Sequence, residues 1–141
     1  MKSEQGFSLI ELLVVVGILM IISAIAIPGL RRVRNNANAG SAIQSLRTLT
    51  TAEYLYERKF RQYGTLAQLA PEGTIDSHIA GGAKSGYTFT LTLTPDNKHF
   101  SISASPLEDP AQLVHYFVDE SGLIRYNDGA PATVASPPIP R

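Results

Sequence analysis

The hexapeptide GFSLIE at residues 6–11 opens an apolar run that continues to residue 27. Two serines, one glycine and the carboxylate of Glu11 are the only residues in this 21-residue run that are not hydrophobic. As a helix rising about 1.5 Å per residue, the run would extend roughly 30 Å, the thickness of the hydrocarbon core of a bilayer. A charged side chain at the centre of such a span costs about 2.5–3.5 kcal/mol on insertion scales. The run therefore predicts a membrane-spanning helix, and Glu11 is expected to have a partner.

At these residues the chain resembles the type IV pilins and their pseudopilin relatives. Precursors of this family carry a short polar leader that ends in glycine, followed by phenylalanine, serine or threonine, leucine, isoleucine and glutamate. Here the glycine is Gly6, the phenylalanine is Phe7 and the glutamate is Glu11. The resemblance is close over residues 1–28 and loose beyond them. It implies that residues 1–6 are a leader removed by a prepilin peptidase, and that the new amine of Phe7 is methylated.

The resemblance also implies the partner of Glu11, which is the amine of Phe7 on a neighbouring subunit of a growing filament. Pairing two desolvated opposite charges relieves the cost of a buried carboxylate, so assembly and charge relief become coupled. The expected role is that of a structural subunit, a major or minor pilin, of a type IV pilus. Its expected partners are copies of itself, other pilins, the prepilin peptidase, and an assembly platform with its ATPase. The precursor would reside in the inner membrane and the product in an extracellular filament.

Four other interpretations of the N-terminal segment remain open. A pseudopilin of a type II secretion system, assembling in the periplasm, fits the same motif. A membrane-anchored binding module that never polymerises would leave Glu11 without a task. A secretory signal peptide finds support in the small residues at 24–26, but Glu11 lies inside its apolar region and Lys2 is offset by Glu4. A plain single-pass anchor explains the length of the run but not the Gly6-Phe7 junction.

The overall composition points to one small domain on an apolar stalk. Twelve basic and twelve acidic residues balance, which argues against nucleic acid as a partner, and there is no cysteine to form a disulfide. The basic cluster of Arg31, Arg32 and Arg34 follows the apolar run and is typical of a juxtamembrane anchor. A DNA-contacting patch is the alternative, although no aromatic residues are interleaved with the arginines. The predicted divisions of the chain are thus a leader (residues 1–6), a transmembrane and assembly helix (residues 7–28), and an amphipathic helix with a β-sheet and a proline-rich tail (residues 29–141).

Beyond Pro28 the apolar pattern becomes amphipathic and predicts that the helix continues to about residue 60. Proline lacks an N–H and clashes with the preceding turn, so Pro28 is expected to break or kink the helix. Polar residues, Glu53 among them, lie between the apolar positions. The apolar positions recur mainly every three or four residues: Leu30, Val33, Ala37, Ile43, Leu46, Leu49, Ala52, Tyr56 and Phe60.

The second half of the chain predicts an antiparallel sheet. Residues 87–94 alternate apolar side chains with threonine, and residues 100–104 alternate again after a turn at 95–98. A second hairpin is expected from residues 113–118 and 123–126, whereas residues 61–86 predict a connecting segment and residues 129–141 an extended proline-rich tail. The predicted fold is α+β: a long N-terminal helix, membrane-spanning in its first half, packed on a four-stranded antiparallel sheet.

No pattern in the sequence predicts catalysis, a cofactor or a metal site. The three histidines are isolated, and residues 82–85 lack the glycine that a phosphate-binding loop carries before its lysine. We therefore expect the protein not to be an enzyme. One alternative is a calcium site built from oxygen ligands near the second hairpin: Asp119, Glu120, Asn127 and Asp128.

Overall fold

The computed structural model describes residues 6–140, so the predicted leader lies outside the described residues except for Gly6. The chain divides into two compact units, Met1–Asn36 and Ala37–Arg141, and helix α1 contributes to each. The elements are helices α1 (Leu9–Phe60), α2 (Leu66–Leu69) and α3 (Ser77–Ala80), a 3₁₀ turn (Ala70–Glu72), and strands β1 (Ala83–Lys84), β2 (Tyr87–Leu93), β3 (Phe100–Pro106), β4 (Val114–Asp119) and β5 (Arg125–Asp128). The predicted α+β class is confirmed.

The first unit consists of the N-terminal part of α1. The helix passes through Pro28 without interruption, so the predicted break does not occur, and a kink at Pro28 stays a prediction. A proline removes one N–H from the helical ladder, and the long helical stretches on either side of Pro28 maintain the remaining hydrogen bonds. The large apolar side chains of this unit project into the surroundings and not into a core.

The second unit is built on a sheet whose five strands are joined in sequence order, each antiparallel to the next. In the register of β2 and β3, Phe89 lies opposite Ala104 and Leu91 opposite Ile102. The intervening residues, such as Thr90 opposite Ser103, therefore occupy the other face of the sheet. The alternation read from the sequence thus describes the two faces of this hairpin correctly.

The core of the second unit contains residues from α1, the short helices and the inner face of the sheet. Leu46 and Leu49 of α1 are fully buried in it, together with Ile102 and Val118 of the sheet. Burying a leucine or isoleucine contributes about 1.5–3 kcal/mol, so this apolar stripe ties the helix firmly to the sheet. Of the predicted stripe, Leu46, Leu49, Ala52 and Tyr56 are buried, whereas Phe60 remains 43 % exposed.

The prediction of four strands is wrong by one, because β1 adds a short strand at the edge of the sheet. Its Lys84 pairs with Tyr87 of β2 across a tight two-residue turn. Ser85 and Gly86 in this turn have φ values of 50° and 74°, the left-handed geometry that such hairpin turns require. Two residues are too few to show alternation, and so the pattern of the sequence did not reveal this strand.

At the opposite edge of the sheet, the proline-rich tail lies along β5. The N–H of Tyr126 donates to the carbonyl of Pro137 at 3.0 Å, and the N–H of Ile139 donates to the carbonyl of Ile124 at 3.0 Å. No helix forms in residues 129–140, as the prolines predict. Because exposed edge strands invite pairing with other chains, the tail protects this edge.

Gly129 turns the chain from β5 into the tail, and its replacement by alanine should destabilise the second unit. Its φ is +68°, and a Cβ there would lie 2.5 Å from the carbonyl oxygen of Ala111. We expect Gly129→Ala to lower the free energy of unfolding by about 2–4 kcal/mol, measured by denaturant unfolding in detergent. The control is Gly73→Ala, with φ +70° and nothing near the added Cβ. It should cost only about 1–2 kcal/mol, the left-handed backbone alone. Equal losses would show that the contact with Ala111 is unimportant.

Candidate functional site

The predicted processing and assembly residues lie at the start of α1. Gly6 and Phe7 precede the helix, and the side chain of Phe7 is 82 % exposed. Glu11 stands in the first turn, where its Oε2 accepts a hydrogen bond from the backbone N–H of Ser8 at 3.0 Å. The carbonyl of Ser8 in turn accepts from the N–H of Leu12 at 3.2 Å. The structure therefore places the carboxylate of Glu11 against the backbone N–H of Ser8, the residue that follows Phe7.

This hydrogen bond gives Glu11 a local role in addition to the pairing expected from the sequence. A serine followed three residues later by glutamate is the capping pattern in which the glutamate satisfies a free N–H at a helix start. The positive end of the helix dipole also favours a carboxylate at this position. One oxygen of Glu11 is thus satisfied within its own chain, so a partner across a subunit contact would have to compete with the N–H of Ser8 or use the other oxygen.

The first unit presents its apolar side chains on all sides of the helix. Among the described residues, α1 is the one helix long and apolar enough to cross a membrane, and none of its most apolar 18-residue window is buried. Exposed apolar surface of this extent indicates contact with lipid or with other apolar segments. The unit fits a membrane-anchored precursor.

The arginine cluster forms the far end of the first unit. Arg31, Arg32 and Arg34 are exposed on α1. Three ion pairs occur among residues 6–140, and none of them includes these arginines: Lys59–Glu72, Lys84–Asp76 and His99–Glu120.

The four oxygen-bearing residues considered for calcium do not come together. Asp128 of β5 lies opposite Val114 at the start of β4, whereas Asp119 ends that strand five residues later. At about 3.3 Å per residue the two carboxylates belong to opposite ends of the sheet, roughly 16 Å apart. Asp119 Oδ1 instead accepts from the N–H of Ser121 at 2.9 Å and shapes the turn. Within the described part of the chain, no three acidic, histidine or cysteine side chains form a metal-binding group.

Glu53 is a buried carboxylate that the sequence analysis placed among the polar residues of α1. Its side chain is 0 % exposed, and its Oε2 accepts a hydrogen bond from the N–H of Gly64 at 2.9 Å. Its Oε1 has no hydrogen-bond partner among the described residues. Burial raises the pKa of Glu53 to about 7, and the bond from Gly64 offsets part of that rise. The signal was in the sequence: Glu53 follows Leu49 by four residues and precedes Tyr56 by three, so it shares their face.

Two of the three histidines, His99 and His115, make side-chain contacts within the second unit. His115 is buried, with Nε2 at 2.8 Å from the carbonyl oxygen of Pro110 and Nδ1 at 3.2 Å from the hydroxyl of Ser105. Both ring nitrogens are therefore occupied by contacts that join β4 to β3 and to the loop between them. His99 lies at the other end of the sheet, where it pairs with Glu120 at 2.9 Å on the surface.

The comparison with known proteins concerns the N-terminal segment. Residues 1–27 match the family model described as the prokaryotic N-terminal methylation motif. No solved structure matches the chain. The match shows that the chain carries the signature of type IV pilins and pseudopilins, and the long helix packed on an antiparallel sheet accompanies it. The motif and the fold together suggest a structural, non-enzymatic protein of this kind.

Proposed function

We propose that this protein is a structural subunit of a type IV pilus, cut after Gly6, methylated on Phe7 and polymerised through α1. The observation that carries the proposal is the methylation motif at the start of a helix whose most apolar 18-residue stretch has no buried residue. Gly6 and Phe7 stand outside the helix, as a peptide bond that a protease must reach should do. The roles of Gly6, Phe7 and Glu11 are part of this proposal, as is the division into a leader (residues 1–6), a stalk (residues 7–28) and a head (residues 29–141).

Two forces would drive assembly. The larger is transfer of the exposed apolar side chains of α1 from lipid contact into a bundle of packed helices, where close packing supplies dispersion energy. The second is the attraction between the carboxylate of Glu11 and the methylated amine of Phe7 on the neighbouring subunit. Because an ion pair of this kind requires one axial offset between subunits, Glu11 would set the stagger of the filament.

The partners follow from this assembly route. The chain would form a homopolymer, joined by other pilins, after a prepilin peptidase has removed the leader. An assembly platform with its ATPase would draw subunits from the inner membrane. The resulting filament would be extracellular. The same motif also serves pseudopilins, and a periplasmic pseudopilus of a secretion system is the second candidate.

The experiment that tests the proposal is mass spectrometry of the mature N-terminus, on protein sheared from the cell surface. We expect a chain that begins at Phe7 and carries a methyl group on its amine. A chain that still begins at residue 1, or that begins after residue 26, would contradict the proposal. Methylated protein found only in the periplasm would favour the pseudopilin instead.

A further inference from the structure

The three arginines at the end of the first unit have no ion-pair partner among residues 6–140. No acidic residue occurs in the sequence between Glu11 and Glu53, so nothing on the same stretch of helix neutralises them. None forms an ion pair with any described residue, and all three are exposed. At about 100° per residue on a helix, Arg31, Arg32 and Arg34 spread over roughly 160° of the surface, too wide an arc for one small acidic patch.

The depth of the cluster matches the headgroup layer of a bilayer. Arg31 and Arg34 follow the last residue of the apolar run by four and seven positions on an unbroken helix. At 1.5 Å per residue these backbones lie about 6–11 Å beyond the hydrocarbon boundary. The headgroup layer on each side is roughly 5–8 Å thick. Because arginine side chains can bend back along a helix toward their preferred depth, all three guanidinium groups would be within reach of the phosphates in a membrane of this thickness.

The cluster also runs against the usual charge rule for membrane insertion. Lysine and arginine accumulate on the cytoplasmic flank of a membrane helix. The leader contains one basic residue, Lys2, and one acidic residue, Glu4, so the cationic flank is the one attached to the head. In the orientation required by the proposed function, that flank faces away from the cytoplasm. Retaining three arginines there calls for a compensating attraction on the outer side.

We propose that Arg31, Arg32 and Arg34 bind the phosphate groups of anionic phospholipids at the outer surface of the membrane that holds the unassembled subunits. The side of the membrane in this proposal rests on the proposed function, whereas the lipid contact rests on the cluster itself. Guanidinium groups suit phosphate because each can donate two parallel hydrogen bonds to its oxygens. Subunits would therefore leave anionic lipid when they enter a filament.

The test uses the full chain in nanodiscs that contain phosphatidylglycerol and phosphatidylcholine in equal parts. The protein is released inside a mass spectrometer and the two retained lipids are counted. The variant carries Arg31→Gln, Arg32→Gln and Arg34→Gln. The control carries Arg47→Gln, Arg58→Gln and Arg61→Gln, which removes the same charge from exposed positions of the second unit.

We expect the native chain and the control to retain phosphatidylglycerol several-fold above phosphatidylcholine, since each basic residue near an anionic surface is worth about a fivefold preference. The first variant should retain the two lipids equally. Added salt should reduce the native preference as well. Equal retention by the native chain, or an unchanged preference in the first variant, would overturn the proposal.

Two other partners would give different results. If the cluster bound duplex DNA, the native chain would shift a labelled duplex and the first variant would not, with the lipid ratio equal in both. If it bound a second copy of this chain, the variant would fail only in filament assembly. Both outcomes contradict a lipid site. The assay needs neither processing nor polymerisation, so a failure of the pilus proposal at the N-terminus would be seen separately from a failure here.

Discussion

Replacing Glu11 by alanine should abolish filament assembly and leave the subunit in the membrane. The substitution removes a charge that is costly inside an apolar bundle, so membrane insertion should be equal or better. It also removes the attraction to the amine of a neighbouring Phe7, which the proposed function makes the determinant of stagger. We expect surface filaments to fall by a factor of about 100 or more, since losing one partner of a desolvated ion pair costs about 3–5 kcal/mol. Electron microscopy and immunoblots of sheared and membrane fractions measure the two quantities.

The hydrogen bond from Ser8 to Glu11 provides the decisive control for this experiment. Glutamine at position 11 keeps an oxygen that can accept from the N–H of Ser8, and it serves in the same capping pattern. Glu11→Gln therefore preserves the start of the helix and removes only the charge. If charge pairing drives assembly, Glu11→Gln should fail as completely as Glu11→Ala. Filaments with Glu11→Gln but not with Glu11→Ala would assign Glu11 to helix capping alone, and filaments with both would remove it from assembly.

The buried carboxylate of Glu53 should make the head less stable as the pH rises toward neutrality. Its pKa is raised from 4.5 to about 7, so between these values the folded head keeps the proton that the unfolded chain has lost. The free energy of unfolding then falls with rising pH, by about 3 kcal/mol in total across this window, and levels off above it. Denaturant unfolding of the full chain in detergent, followed by tyrosine fluorescence at a series of pH values, measures the slope.

Two surface carboxylates, Asp76 and Asp96, should lower the stability of the head at acid pH. Hydrogen bonds and charge from Lys84 and Ile79 lower the pKa of Asp76, and bonds from Thr94 and Lys98 lower that of Asp96. A lowered pKa contributes stability that is lost as the pH falls through it, so these two groups act at the acid end. The head should therefore be most stable in mildly acidic solution, between the two windows.

Glu53→Gln tests which group is responsible for the neutral slope. Glutamine accepts from Gly64 without ever ionising, but its amide must find a partner where Oε1 now has none. We expect the variant to match the native chain near about pH 5 and to exceed it by roughly 2–3 kcal/mol near pH 8. Glu57→Gln, one turn further along α1 and only half-buried, should leave the slope unchanged. A slope that survives in Glu53→Gln would mean that another group titrates in this window.

The elements that the sequence predicted well are those whose pattern is repeated many times. The apolar run, the alternation of β2 and β3 and the apolar stripe of Leu46 and Leu49 each depend on several consecutive agreements between side chain and position. Strand β1 has only two residues, and its turn at Ser85 and Gly86 depends on backbone angles that composition signals weakly. A two-residue strand is too short to produce a periodic pattern in the sequence.

The roles of individual carboxylates were harder to predict from the sequence than the secondary structure. Glu11 could be singled out because a carboxylate in an apolar run is exceptional, whereas its bond to Ser8 required the backbone geometry of the helix start. The burial of Glu53 was not predicted, because Glu53 was grouped by its type with the polar residues that lie between the apolar positions. Its spacing from Leu49 and Tyr56 places it on their buried face. The position of Glu53 on the helix was a better guide to its burial than its charge, because tertiary packing decides which face of the helix is buried.

The tail that lies along β5 has a consequence for the order of events during synthesis. Residues 137–139 hold the edge of β5 through main-chain bonds, and they follow every strand of the sheet in the chain, so they are made and cross the membrane last. Until they dock, that edge has unpaired N–H and carbonyl groups that another nascent chain could engage. With no cysteine in the chain, no covalent step closes this interval. The time between completion of the sheet and arrival of the tail is thus the period in which newly made subunits are most exposed to mispairing.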